Sequence, residues 1–280
     1  MKKALLWIIA FLITVSAAFY QRMTGPTHPL RGKATLNNTE IAYKLERNPE
    51  TISDHEVWIE VPDAEITGTL LYKRYKTDDP WTEIPMERDG NVLAGSLPQQ
   101  PSAGKLEYRI LLASQGNEIS LTGEKSVIIR FKDPVPAVIL VPHIIIMFLA
   151  MLFSTRAGIE ALNPKGNPRK LALWTTGLLF VGGFILGPLV QKFAFGALWT
   201  GFPFGTDLTD NKTLIAMIGW IAALIAGRRG KPARWWVLGA SILLMAVYLI
   251  PHSLLGSELD YSQLDASSSL PKEVTRLYSP

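Results

Sequence analysis

The chain has 280 residues, with 28 Lys and Arg against 24 Asp and Glu, and 48% of its residues are hydrophobic. That length suits roughly two domains. The small positive charge, without any nucleic-acid-binding motif, argues against nucleic acid as a partner, and the absence of cysteine excludes a disulfide framework, a CxxC pair and a thiol nucleophile.

The chain opens Met1-Lys-Lys and continues with the apolar run Ala4–Tyr20. A charged start followed by an apolar stretch, with small residues at Ser16-Ala17-Ala18, has the pattern of a signal peptide. The run is also close to the length of a helix that stays in the bilayer. Residues 1–20 are therefore read as a signal peptide or a signal anchor, and both send the following residues across a membrane. Residues 21–134 read as all-β. Val57–Val61, Thr69–Tyr75, Val92–Leu97, Lys105–Leu112 and Ser126–Phe131 are rich in β-branched and aromatic residues. Turn signals separate them at Asn37-Asn38, Asp78-Asp79-Pro80, Asp89-Gly90, Pro101-Ser-Ala-Gly104 and Gln115-Gly-Asn117. About seven or eight short strands over about 110 residues suit a β-sandwich. Asp133-Pro134 ends this region.

Further apolar runs follow at Val135–Phe153, Leu171–Val190, Thr213–Ala226 and Trp235–Ile250. The last two fall short of the ~20 residues of a full span. The third is expected to gain a turn from Leu208–Lys212, and the fourth to run on to Leu255. Cationic residues cluster at Lys2 and Lys3, at Arg156, Lys165, Arg169 and Lys170, and at Arg228, Arg229, Lys231 and Arg234. If every run spans, these patches share one side, which the positive-inside rule makes cytoplasmic. The expected fold class is thus α+β multidomain. An N-terminal signal or anchor (1–20) precedes an extracytoplasmic all-β sandwich (21–134), a four-helix transmembrane bundle (135–255) and an outer C-terminal tail (256–280). Ala266-Ser-Ser-Ser-Leu270 in that tail reads as flexible.

Residues 191–212 join two spans on the outer side. Phe193, Phe195, Trp199, Phe202 and Phe204 suit the headgroup region, and Gly196, Gly201, Pro203 and Gly205 break a helix. The stretch reads as an aromatic, partly re-entrant lid, with Thr209 or Asp210 capping the next helix. Its carboxylates also open metal readings. Asp207 and Asp210, with His252 and Glu258, form a mixed set for zinc. His143, Met147 and Met151 share one helix face, and imidazole with thioether suits copper. His143 and His252, at matched depth on facing helices, suit a b-type haem. The plain alternatives are interfacial hydrogen bonding for each histidine, core filling for the methionines and a helix cap at Thr209 or Asp210. GxSxG, HExxH, P-loop and dinucleotide fingerprints are absent.

Leu70–Tyr75, Trp81, Leu97-Pro98 and Gly104–Tyr108 resemble immunoglobulin-like or fibronectin type III-like domains of bacterial surfaces. Gly187–Gly196, Trp199–Thr213 and Pro251–Tyr261, with Met23-Thr-Gly-Pro26, resemble a family of bacterial integral membrane proteins that carry such a domain outside the membrane. That resemblance implies a bacterial cytoplasmic (inner) membrane, whose periplasmic side the charge pattern assigns to the β domain and C-terminus, and it brings no activity from which a catalytic role could be carried over. A sandwich joined to a helix bundle is also similar to bacterial copper-uptake proteins, although no copper-binding cluster follows residue 20. The functional expectation is a non-enzymatic membrane protein in contact with lipid, its β domain binding or assembling with an envelope protein partner. The alternatives are a haem- or metal-binding redox protein built on His143 and His252, and a transporter gated at the aromatic loop.

Overall fold

The computed structural model describes residues 2–228, 233–251, 256 and 258–268. The chain divides into two compact units, one of residues 1–28 and 133–257, the other of residues 29–132 and 258–280.

The β-rich unit contains ten strands: β1 (Leu30–Leu36), β2 (Thr39–Leu45), β3 (His55–Glu60), β4 (Thr67–Arg74), β5 (Thr82–Pro85), β6 (Glu87–Asp89), β7 (Val92–Leu97), β8 (Lys105–Ser114), β9 (Asn117–Ser120) and β10 (Val127–Arg130). They form an antiparallel β1-β2 pair, a five-stranded sheet β10-β8-β4-β5 with β9 also on β8, and a three-stranded sheet β3-β7-β6. Period-two alternation drives the layering. Along β8, Leu106, Tyr108, Ile110 and Leu112 are buried while Lys105, Glu107 and Arg109 point outward. Val57 and Ile59 of β3, Leu70 of β4, and Leu93 and Leu97 of β7 enter the same core. Each such buried side chain contributes about 1.5–3 kcal/mol relative to exposure. Asn37 and Asn38, with φ of 47° and 67°, make the tight β1–β2 turn, a conformation Asn tolerates and hairpin twist prefers.

The helical unit comprises α1 (Lys2–Thr24), α2 (Ala137–Leu162), α3 (Arg169–Phe180), a π-helical turn (Val181–Leu186), α4 (Gly187–Phe195), α5 (Leu208–Ala226) and α6 (Arg234–Leu249). Four stretches, Lys3–Thr24, Ala137–Leu162, Arg169–Phe195 and Leu208–Ala226, are long and apolar enough to cross a membrane, and Arg234–Leu249 is a shorter apolar helix. Leu12, Val138, Ile145, Trp174, Ile218 and Ile242 point outward, whereas small residues fill the seams. That inversion suits lipid, where association depends on close packing. A Cβ at Gly158 of α2 would collide with Ser241 of α6, and the Ser241 hydroxyl donates to the Ser154 carbonyl at 2.8 Å. Ala10, Thr14 and Ala17 are the buried positions of α1, and Thr14 meets Thr155 at 3.4 Å. Arg156 pairs with Glu160 at 2.7 Å, one turn on, and lies 5.8 Å from the Trp7 ring. The π-helical turn falls just before Pro188, which has no N–H to return to the preceding turn.

These findings correct the expected fold class, a sandwich leading into a four-helix bundle with an appended first helix. A helix comes first, the β-rich region follows, and the other helices come last. The first helix is built into the helical unit through its small-residue face, so the β-rich region is an insertion between parts of one helical assembly. The strands are organised in three sheets rather than two. The third apolar run does begin at Leu208, but α6 stops at Leu249 instead of reaching Leu255. Ile250 is extended (φ −69°, ψ 120°) because it precedes Pro251. In the tail, Tyr261–Ser268 forms α7, which takes in residues 266–268 of the Ala266–Leu270 stretch expected to be flexible; residues 269 and 270 lie outside the described residues.

Candidate functional site

Two features stand out, one in each unit: a buried polar girdle where α5 begins and α6 ends, and an outward sheet face of the β-rich unit.

The girdle starts at the loop after α4. Gly196 ends that helix at φ 82°, a left-handed position that glycine occupies freely. The loop therefore covers residues 196–207 and is shorter than the 191–212 expected, since Gln191–Phe195 are helical. Asp207, rather than the anticipated Thr209 or Asp210, closes the α5 N-terminus by accepting from the amides of Thr209 (2.7 Å) and Asp210 (3.3 Å). Asp210 turns back to the loop, where its Oδ2 accepts from the amides of Thr200 (2.7 Å) and Gly201 (3.0 Å). Asn211 Oδ1 accepts from the Phe202 amide at 2.7 Å. Two carboxylates at a helix N-terminus also complement its dipole. Buried Lys212 donates to the Ile250 carbonyl at 2.6 Å, and Gln21 of α1 donates to the Tyr248 carbonyl at 2.7 Å. The open C-terminal carbonyls of α6 are thus satisfied by side chains of two other helices. Trp199 stacks on Phe184 at 5.5 Å, while Phe202 and Phe204 remain 68% and 82% exposed.

His143 of α2 lies against the π-helical turn, its Nδ1 3.0 Å from the Gly182 carbonyl. A carbonyl only accepts, so Nδ1 carries a proton and donates it in this contact. Met147 Sδ packs into the notch at Gly182, where a Cβ would stand 2.7 Å away. Met151 is buried in the helical core. His143, Met147 and Met151 share one helix, but each has a separate packing role. Asp207 and Asp210 hold backbone. Glu258 belongs to the other unit, where it pairs with Lys76 and Lys105. His252 lies outside the described residues. Among the described residues no group of three or more His, Cys, Asp or Glu stands where it could hold a metal ion.

The second feature is the outer face of β3-β7-β6. Register places Trp58, Ala94 and Glu87 in one row and Glu60, Val92 and Asp89 in the next, with Glu56 opposite Ser96. Paired positions project from the same face, with neighbouring strands about 4.8 Å apart. Trp58 is 58% exposed in the middle of β3, an edge strand of this sheet. Glu56 and Glu60 flank it along the strand, and Glu87 and Asp89 share the face from β6; all are exposed, and none makes an ion pair among the described residues. This face was not among the expected sites. Its signal was the alternation Glu56-Val-Trp-Ile-Glu60, which puts both carboxylates and the indole on one side of a strand.

No protein-family model matches the chain, and no curated protein matches it significantly.

Proposed function

We propose that the protein is a non-enzymatic, membrane-anchored binding module of a bacterial envelope. Its helices sit in the cytoplasmic membrane and its β-rich unit faces outward to engage an envelope protein through the Trp58 face. The single observation that carries this reading is the exposed indole in the middle of edge strand β3, on a sheet face whose carboxylates make no ion pair among the described residues. Tryptophan is enriched where interfaces carry most of their binding energy, and a carboxylate rim steers a basic partner. The buried seam of α1 supports its retention as an anchor rather than cleavage. The cation-rich α2–α3 connection supports an outward β-rich unit. A photo-cross-linking amino acid at position 58, in cells, tests the proposal. The expected result is one discrete protein adduct, lost when Glu56 and Glu60 are both changed to Lys. An adduct pattern no different from that at Thr35, exposed on β1, would overturn it.

A second reading is favoured by His143, whose Nδ1–H···O=C bond is the arrangement that fixes an imidazole for metal or haem ligation through Nε2. In that reading His143 and His252 would hold the group, which would supply electron transfer. It predicts a reduced-minus-oxidised absorbance signature in the purified protein that disappears in His143→Ala. A blank spectrum removes haem.

A further inference from the structure

Residues 258–268 belong to the β-rich unit and meet the edge formed by Arg74–Thr77, at the end of β4, and Gln100–Lys105, at the start of β8. The Leu259 amide donates to the Ala103 carbonyl at 3.3 Å. Glu258 bridges two lysines, Lys76 at 2.7 Å and Lys105 at 2.6 Å. Tyr261 is buried; its hydroxyl donates to Gln100 Oε1 at 2.8 Å, with the Lys105 carbonyl 3.1 Å away. The Tyr261 ring faces the Arg74 guanidinium at 5.0 Å. Arg74 also reaches Asp265 at 2.8 Å. A cavity of about 390 Å³ opens beside the segment, lined in part by Tyr75, Lys76, Thr77 and Lys105.

The two sides of this contact differ in kind. The receiving side is preorganised. Asp79 grips Arg74 at two points, 2.6 and 3.0 Å, and Lys105 starts a strand paired on both sides. The incoming side is light. Tyr261 is the one buried side chain among residues 258–266. Lys76 and Asp265 are 61% and 55% exposed, and exposed ion pairs hold weakly. An eight-residue helix is marginal without its packing surface.

We infer that this edge is a recognition groove for an acidic, tyrosine-bearing peptide segment of a protein partner, and that residues 258–265 occupy it in cis as a releasable latch. The inference rests on the reading of the β-rich unit as a binding module but uses a surface separate from Trp58. Segment and groove are complementary: two carboxylates meet Lys76, Lys105 and Arg74, and one phenol fills the gap between them. A tethered segment competes at an effective concentration on the order of millimolar, so the groove is masked until a partner of the same chemistry displaces the segment.

The test uses the full chain in detergent and a fluorescein-labelled synthetic peptide spanning residues 258–268. Fluorescence anisotropy compares the unaltered chain, a latch variant (Glu258→Lys with Tyr261→Ala), and that variant with Lys105→Glu or, more conservatively, Arg74→Gln. The peptide should bind the latch variant about tenfold or more tightly than the unaltered chain, as expected when a cis competitor is removed. Binding should fall when either groove residue is changed and should vanish for a peptide with both Glu258 and Asp265 replaced by Lys. Thermal melts of the same samples identify any groove variant that loses binding by unfolding, and the charge-reversed peptide on the latch variant then decides. No saturable binding to a folded latch variant, or equal binding of both peptides, overturns the inference. A failed peptide experiment with an intact position-58 adduct removes the latch alone. Peptide binding without that adduct removes the Trp58 face instead.

Discussion

Asp210 shows what a single carboxylate does in this protein. It is buried, and it replaces solvent for the amides of Thr200 and Gly201. Asp210→Ala leaves both donors without an acceptor, at a cost of about 1–3 kcal/mol for each donor that stays buried. The expected outcome is a clearly lower melting temperature in detergent, with Asp210→Asn, which keeps one acceptor oxygen, falling between. Melting temperatures of the Ala and Asn variants that match the unaltered chain would show that the loop is held by other contacts. At this scale the sequence was partly legible. Asp207 and Asp210 were read as candidate metal carboxylates, and a helix cap was weighed for Thr209 or Asp210. The cap was placed two or three residues too late because α5 begins at Leu208, where the Asp207 side chain accepts from the amides of Thr209 and Asp210. Lys212 and Gln21 gave no warning, since their partners are carbonyls on another helix, which no local pattern encodes.

Between elements, fit rather than polarity decides. Gly158 is where α2 and α6 approach closely, so Gly158→Leu must push Ser241 and its bond to Ser154 aside. Overpacking of this kind costs typically 1–3 kcal/mol, and circular-dichroism melts should show it. An unchanged melt would mean the seam yields freely. The docked segment 258–265 should respond to pH from both ends. Burial pushes the Glu258 carboxyl up, but the hydrogen bonds from Lys105 and Lys76 together hold it below its ordinary value, and Arg74 holds Asp265 below its own. Groups depressed by docking favour it fully above the ordinary carboxylate range, roughly 4, and the benefit is lost as pH falls through their lowered values. Burial pushes the Tyr261 phenol up to about 12. Its contribution is complete below the ordinary value of roughly 10 and is lost as pH rises toward about 12. A nitroxide on Gln263→Cys, the sole cysteine of that variant, should therefore be immobilised at neutral pH and mobile at both extremes. Uniform mobility would show the segment undocked throughout. Among the strands, β7 was delimited residue for residue, and β3, β4, β8 and β10 fell within two residues at each end, because alternating β-branched residues between turn signals mark half-buried strands. Strands β1, β2, β5, β6 and β9 passed unnamed. β1 and β2 carry charge at alternate positions, and β5, β6 and β9 span only four, three and four residues.

For the whole molecule, the pattern of charge sets the account. Apolar runs and cationic connections were plain in composition. The insertion of a β-rich unit between parts of one helical assembly was not, because the packing of α1 is written in three small residues, Ala10, Thr14 and Ala17, and not in its hydropathy. The central claim is that the β-rich unit faces outward while the α2–α3 connection stays on the cytoplasmic side. The absence of native cysteine makes this directly measurable. Thr35→Cys on β1 and Lys165→Cys between α2 and α3, both exposed positions, are treated separately with a membrane-impermeant maleimide in intact and in permeabilised cells. The account predicts that position 35 is labelled once the reagent reaches the outer face of the cytoplasmic membrane, and position 165 only after that membrane is breached. Labelling of position 165 in intact cells, with position 35 protected until the membrane is breached, would contradict it.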